Sequence, residues 1–233
     1  MRPVLVLWDL DHTLLETGGV DREIWFALCA QLLGLPVAPA EVVPGSTAPQ
    51  LLRAILVQRG ATPDEADRLL PDALRLELEF LTARRDELRR RGRAMPGALA
   101  AIAVLAGRPD VLQSVLTGNQ RPGAEAKLGA YALLGSLDLD IGAYGSDDSH
   151  RPALVEVARK RAEAAQPLPI SAEQIVLIGD SLLDIDAAHR NGARVVAVAT
   201  GEITAEQLRA AGADAVLDDL TDTGAFLAAV LGR

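Results

Sequence analysis

Five apolar residues in succession, Val4-Leu5-Val6-Leu7-Trp8, run directly into Asp9-Leu10-Asp11-His12-Thr13. A run this short cannot span a bilayer, and its lack of polar alternation marks a strand buried on both faces. At the carboxyl end of a parallel strand the backbone turns, so Asp9 and Asp11 are expected to converge on one pocket. Two carboxylates that close stay charged at neutral pH only with a cation between them; otherwise one holds a proton. The pair therefore reads as a hard-metal site or as a nucleophile with its acid.

After a turn at Glu16 to Gly19 the pattern becomes helical as far as Arg93. Ile24, Trp25, Leu28 and Leu32 recur at helical spacing, and Gly34 can end that helix. A loop through Pro44-Gly45-Ser46-Thr47 leads to a helix with Leu51, Leu52, Ile55 and Leu56 inward and Gly60 at its end. Thr62-Pro63-Asp64-Glu65 has capping-box spacing with proline in the first helical position. A further helix is expected from about Asp72 to Arg91, stopped by Gly92. Its arginines (Arg84, Arg85, Arg89, Arg90, Arg91, and Arg93 beyond) suit a helix C-terminus facing water better than an anion site.

From Met95 onward helices and short apolar strands alternate, which calls for right-handed crossovers and a parallel sheet covered on both faces. The expected fold is α/β: a Rossmann-like sheet core from residues 1–15 and 95–233, with an all-helical module at 16–94 inserted after the first strand. Three strands end in polar groups: Asp9/Asp11/Thr13, Thr117-Gly118-Asn119 and Gly179-Asp180. Ligands gather beyond the carboxyl ends of such strands, so these belong to one site.

Composition narrows the function. With 32 acidic against 23 basic residues the net charge is −9, which disfavours a nucleic-acid backbone. Aromatic residues make up 3% of the chain, too few for a base-stacking platform. The single cysteine, Cys29, excludes an internal disulfide and fits a helix core. No signal-peptide pattern or membrane-length apolar segment is present, so the expectation is a cytoplasmic protein, monomer or homodimer, with neither nucleic acid nor membrane as partner.

Phosphoryl transfer needs an in-line nucleophile, an acid for the leaving group, and charge to hold the phosphoryl oxygens. Asp9 can attack and carry an aspartyl-phosphate, while Asp11 handles the proton. Thr117 and the Gly118 N–H can donate to a phosphoryl oxygen. Asp9 and Asp180 can complete the oxygen shell of Mg²⁺, and Asp184, four residues after Asp180 on one helix face, can support it. Asp186 falls elsewhere on the helix, and His150 and His189 read as solvated.

The wording Asp9-Leu10-Asp11-His12-Thr13-Leu14-Leu15 resembles the nucleophile motif of the haloacid-dehalogenase-like hydrolases, mostly Mg²⁺-dependent phosphatases. The family's other motifs follow in order: Leu116-Thr117-Gly118-Asn119, the basic Arg151 before Pro152, and Gly179-Asp180 with Asp184. The helical insertion looks like the family's small cap, and Asn191-Gly192-Ala193 with Val196 to Gly201 is similar to phosphoglycolate-phosphatase-like members. The resemblance implies Asp9 as nucleophile, Asp11 as acid/base lending Mg²⁺ its backbone carbonyl, and Asp180 as metal ligand. It implies phosphate binding by Thr117, Gly118, Asn119 and a basic residue, with a small phosphorylated metabolite as substrate. Motif order favours Arg151 as that cation over Lys127, which follows Thr117 on a helix. His12 stands where the family has glycine, Arg151 where it has lysine, and Ala48 where relatives carry aspartate. The alternatives are a 2-haloacid dehalogenase, which has no use for Asp11, and a receiver-type phosphoacceptor, which needs an open surface.

Overall fold

The computed structural model describes residues 3–166 and 169–232. Strand β1 (Val4–Trp8) is followed by a two-residue strand β2 (Leu15–Glu16) and helices α1 (Val20–Leu33), α2 (Ala48–Gln58), α3 (Pro63–Ala83) and α4 (Arg85–Arg91). Strand β3 (Arg93–Ala94) then pairs antiparallel with β2, so the chain leaves and re-enters the sheet region through one narrow ribbon. Next come α5 (Ala98–Ala106), β4 (Val111–Thr117), α6 (Arg121–Ala130), β5 (Ala143–Tyr144) and α7 (Arg151–Ala165). The chain finishes with β6 (Ile175–Gly179), α8 (Leu182–Arg190), β7 (Arg194–Val198), α9 (Ala205–Ala210), β8 (Ala215–Leu217) and α10 (Thr223–Leu231).

The main sheet has the order β5-β4-β1-β6-β7-β8 and every pairing in it is parallel. This is the expected Rossmann-like sheet, with β1 between β4 and β6. Alternation along β1 splits its side chains between two cores. Val6 and Trp8 pack with residues of α5, α6 and α10, and Leu5 and Leu7 with residues of α7, α8 and α9. Both faces of β1 are therefore dry, which is why its sequence shows no polar alternation. Each such side chain contributes about 1.5–3 kcal/mol by leaving water. Trp8 stacks on Phe226 with centroids 5.5 Å apart. Its indole N–H donates to Gln113 Oε1 at 3.2 Å, and the Gln113 amide donates on to the Ile102 carbonyl at 3.0 Å.

Helices α1 to α4 build a third cluster, around Val20, Ile24, Leu28, Leu52, Ile55, Leu76 and Leu88. Two boundaries differ from the sequence reading. Helix α3 runs from the Thr62 capping box straight through Pro71, and the break falls at Arg84. Ala66 lies before the proline, and Ala73, Leu76 and Leu81 after it. All four are buried in one cluster, so packing outweighs the lost backbone bond. The ribbon β2–β3 replaces part of the expected turn at Glu16, because its pairing partner lies about eighty residues away, beyond the reach of local pattern. Arg84 and Arg91 both pair with Glu23 of α1 and Glu87 of α4, while Arg85, Arg89 and Arg90 face water as expected.

Gln113→Ala should destabilise the fold by about 2 kcal/mol, since it strands the Trp8 N–H in a dry core. Thermal unfolding then shifts down by several degrees; an unchanged melting temperature would show that the bridge contributes nothing.

Candidate active site

The Asp9 N–H still donates to Ile178 O at 2.8 Å, so the first carboxylate is held in register with the sheet. The chain then turns sharply. His12 takes a left-handed conformation (φ 63°), and its N–H donates to Leu15 O at 2.7 Å. A non-glycine residue costs roughly 1–2 kcal/mol there. The turn carries Asp11 away from Asp9, and the two aspartates acquire different partners.

Asp9 faces a buried guanidinium. Arg151, 2% exposed at the start of α7, donates through Nη2 to Asp9 Oδ1 at 2.6 Å and to Asp184 Oδ1 at 2.5 Å. Its Nη1 donates to Gly45 O at 2.8 Å, on the loop before α2. Asp184 is oriented by the α8 capping box, its Oδ2 accepting from the Ser181 N–H at 3.1 Å and the Ser181 hydroxyl at 2.6 Å. Asp180 accepts from the Thr13 hydroxyl at 3.3 Å. A β-carbon on Gly201 would meet Asp180 Oδ2 at 1.8 Å, so only glycine leaves room for that carboxylate.

Oxygens of Asp9, Asp180 and Asp184 all lie within 4.8 Å of one another. Three buried carboxylates against one guanidinium leave a deficit of positive charge. Burial pushes Asp9 up to about 7 despite Arg151, with Asp184 and Asp11 adding to the rise. Burial likewise raises Asp180 to about 9, and Asp9 and Asp184 push it further. An all-oxygen cluster short of positive charge fits a hard divalent cation such as Mg²⁺.

Asp11 belongs to a second network. Its oxygens accept from Lys127 Nζ at 3.0 and 3.1 Å and from Asn119 Nδ2 at 2.7 Å. Burial works to raise its pKa, but Lys127 and the Asn119 amide prevail and hold it below the usual range. Lys127 is buried and also donates to Asn119 Oδ1 at 2.7 Å and to Asp21 Oδ2 at 2.6 Å. Burial works against its charge, yet Asp11 and Asp21 raise its pKa. Thr117 Oγ accepts from both the N–H and the Nδ2 of Asn119, at 3.2 and 2.8 Å. With both lone pairs taken, the hydroxyl proton is what Thr117 has left to offer. The Asn119 amide itself is engaged with Asp11, Thr117 and Lys127.

Of the residues singled out from sequence, Asp9, Asp180, Asp184 and Arg151 thus meet in one cluster, and Asp11, Thr117, Asn119 and Lys127 in the other. The Asp11 carboxylate stands outside the three-aspartate group. Gly118 approaches the loop before α2: its carbonyl accepts from the Ala48 N–H at 2.7 Å, and a β-carbon on it would meet Ser46 O at 2.3 Å. His150 and His189 are exposed, and Asp186 pairs with Arg190. Sequence reasoning missed Asp21, Trp25 and Glu77, helix residues with no motif around them. It also passed over Ser181, whose spacing from Asp184 is a readable capping-box signal.

Both networks open into a cavity of about 350 Å³, whose other walls come from α1, α3 and the loop through Val43 and Gly45. Burial raises the pKa of Asp21 and Glu77 in these walls, ahead of the opposing effects of Lys127 on Asp21 and of the Gln120 and Trp25 hydrogen bonds on Glu77.

An open parallel sheet with carboxylates and a buried arginine at its strand ends, roofed by helices, defines an α/β enzyme with an acidic active site. The chain belongs to the haloacid dehalogenase-like hydrolase family, whose sequence model matches residues 6–189. It is a hydrolase of that family. No curated protein sequence matches it significantly. Similar solved structures include a haloacid dehalogenase-like hydrolase from Bacteroides fragilis (18% identity, 94% of this chain and 99% of that chain covered, TM-score 0.73). CbbY from Rhodobacter sphaeroides, in complex with phosphate, is 22% identical over 96% of this chain and 97% of its own, with a TM-score of 0.70. A β-phosphoglucomutase from Clostridium difficile is 16% identical over 95% and 92%, with a TM-score of 0.69.

The raised carboxylates make stability pH-dependent. Asp9 and Asp180 sit above their unfolded value of 3.8, so their contribution is fully present below it and is lost as pH rises through about 7 and about 9. In chelator the melting temperature should therefore fall from pH 5 to pH 9. Excess Mg²⁺ should recover more of it at pH 9 than at pH 5, because it replaces protons. A Mg²⁺ effect independent of pH would sink the cluster as the cation site.

Proposed function

We propose that this chain is a Mg²⁺-dependent phosphomonoester hydrolase that acts on a small phosphorylated metabolite through an aspartyl-phosphate on Asp9. The observation that carries this reading is the Asp9 carboxylate, held at the end of β1 against Arg151 and opening on the cavity. Asp9, Asp180 and Asp184 would hold the cation, with the Asp11 carbonyl as the family pattern implies. Bound there, Mg²⁺ would keep Asp9 ionised and offset the charge of the incoming phosphate.

Asp9 attacks phosphorus as a carboxylate, forming a C–O–P bond as the P–O bond to the alcohol breaks. The Thr117 hydroxyl and the Gly118 N–H donate to the phosphoryl oxygens, and the Arg151 guanidinium keeps Asp9 oriented and offsets the added charge. Asp11, a carboxylate in the free chain, is the base that takes a proton from the water that attacks phosphorus in the second half-reaction, as the Asp9 O–P bond breaks and phosphate leaves. Its acid role follows from the substrate: a phosphate dianion beside it raises its pKa, so the proton it gains goes to the leaving alkoxide.

Helices α1–α4 form a cap in this reading. Its loop reaches the core through Arg151 Nη1 to Gly45 O, Ala48 N–H to Gly118 O, and Thr47 Oγ to Ser149 O at 2.8 Å. Opening about the β2–β3 ribbon admits substrate, and closure excludes water while Asp9 is esterified. Support from the relatives is chemical: CbbY has been seen with phosphate and, as a mutant, with xylulose-(1,5)bisphosphate. The Asp11–Lys127–Asn119 network argues against a dehalogenase, and the enclosed cavity against a phosphoacceptor switch. A single buried cysteine, its thiol raised to about 12 by burial, suits the cytoplasm.

Asp9→Asn should lower turnover of a generic phosphate ester by roughly 10³-fold or more while the fold melts normally. Retained activity with unchanged Mg²⁺ dependence would refute the nucleophile.

Arg151→Ala should cost about 10²-fold in kcat. Lys127→Ala should instead move the pH–rate profile to higher pH, as Asp11 loses the cation that depresses it. A loss of about 10²-fold confined to Lys127→Ala, with no pH shift, would reverse these roles.

A further inference from the structure

The cap side of the cavity has a chemistry of its own. Asp21, in the first turn of α1, is 6% exposed and lines the cavity. Its Oδ2 accepts from Lys127, but its Oδ1 is buried with no hydrogen-bond partner. A buried carboxylate oxygen without a donor is costly, and it marks where a donor from a ligand belongs. Trp25, one turn further along α1, lines the same wall, and its indole N–H donates to Glu77 Oε1 at 2.8 Å. Glu77 Oε2 accepts from the Gln120 amide at 2.8 Å, so both carboxylate and ring are fixed.

Neither arginine of the cavity is free of a carboxylate. Among the described residues, the arginines lining the cavity are Arg151, engaged with Asp9 and Asp184, and Arg22, paired with Glu202 on the rim. Lys127 is occupied by Asp11 and Asp21. A substrate bearing a carboxylate or a second phosphate would face Asp21 and Glu77 in a cavity whose arginines already pair with carboxylates, Arg22 only at the exposed rim. A protonated amine finds the reverse: an acceptor on Asp21 that lacks a donor, a second carboxylate on Glu77, and the Trp25 ring on the same wall for the cation.

We infer that the preferred substrate is the phosphomonoester of an amino alcohol, its ammonium group held by Asp21, Glu77 and Trp25 while its phosphate meets Asp9. This deepens the phosphatase reading and rests on it. It also runs against phosphoglycolate, which the motif resemblance suggests, and against the sugar bisphosphate seen with CbbY, because each carries a second anion into an acidic wall.

The test is kcat/KM, at saturating Mg²⁺, on three esters of similar size: aminoethyl phosphate, hydroxyethyl phosphate and phosphoglycolate, with p-nitrophenyl phosphate as a generic ester. The amine should exceed the neutral ester by roughly 10- to 100-fold, as expected for charged hydrogen bonds, and phosphoglycolate should come last. Glu77→Gln keeps the shape and should lower the amine-to-neutral ratio by about tenfold. That ratio is read within one protein, so a general loss of activity leaves it interpretable. Equal rates on the three esters, or a preference for phosphoglycolate, with p-nitrophenyl phosphate turned over would overturn the inference and leave the phosphatase reading standing. A Glu77→Gln ratio equal to the parent's would overturn the assigned contacts. No turnover of any ester, the generic one included, would overturn the phosphatase reading and this inference with it.

Discussion

Positive charge is the scarce quantity at the end of β1. Arg151 is buried between Asp9 and Asp184, and Asp180 crowds the same space, so one guanidinium faces three carboxylates. Burial alone would neutralise such a group by protonation, and the raised values of Asp9 and Asp180 are that tendency at work. The surroundings are arranged to keep the carboxylates in place despite it. The Ser181 capping box orients Asp184, the Thr13 hydroxyl reaches Asp180, and Gly201 leaves the space Asp180 needs.

Separate cations let two neighbouring aspartates behave differently. Asp9 shares Arg151 with another carboxylate and is pushed up, whereas Asp11 has Lys127 and Asn119 and is held down. The strained turn at His12 is what separates them, by swinging Asp11 out of the strand and towards α6. Lys127 also reaches Asp21 on α1, so the helix roof is tied to the Asp11 network, as the loop before α2 is tied to Arg151.

The two hydrophobic cores of the sheet explain how such an acidic site stays rigid. Trp8, immediately before Asp9, is clamped by Phe226 and by Gln113, and Leu7 is locked in the opposite core. Strand-end carboxylates inherit that rigidity, which a loop of the same sequence would lack. The α1–α4 cluster, by contrast, meets the core through the narrow β2–β3 ribbon, loop hydrogen bonds and polar contacts from Gln120, Lys127 and Tyr131. The proposed amine contacts lie on that side, where no motif governs the residues.

What the sequence determined by itself is the part written in local pattern. An unbroken apolar run at residues 4–8 dictates a two-faced strand, strand–helix alternation dictates a parallel sheet, and residues at strand ends must meet at one edge. Asp9, Thr117 and Asp180 were legible for that reason, and Asp184 from helix spacing. The extent of α3 across Pro71, the β2–β3 ribbon and the division of cations were decided by tertiary structure. Each depends on which distant groups share a dry space: Arg151 and Lys127 are both long, singly charged cations on paper. Burial beside Asp9 in one case, and beside Asp11 and Asp21 in the other, separates them. Trp25 and Glu77 lie fifty-two positions apart and carry no signal until the α1–α3 packing brings an indole N–H to a carboxylate. Pattern reads neighbours along the chain, whereas a binding wall is made of neighbours in space.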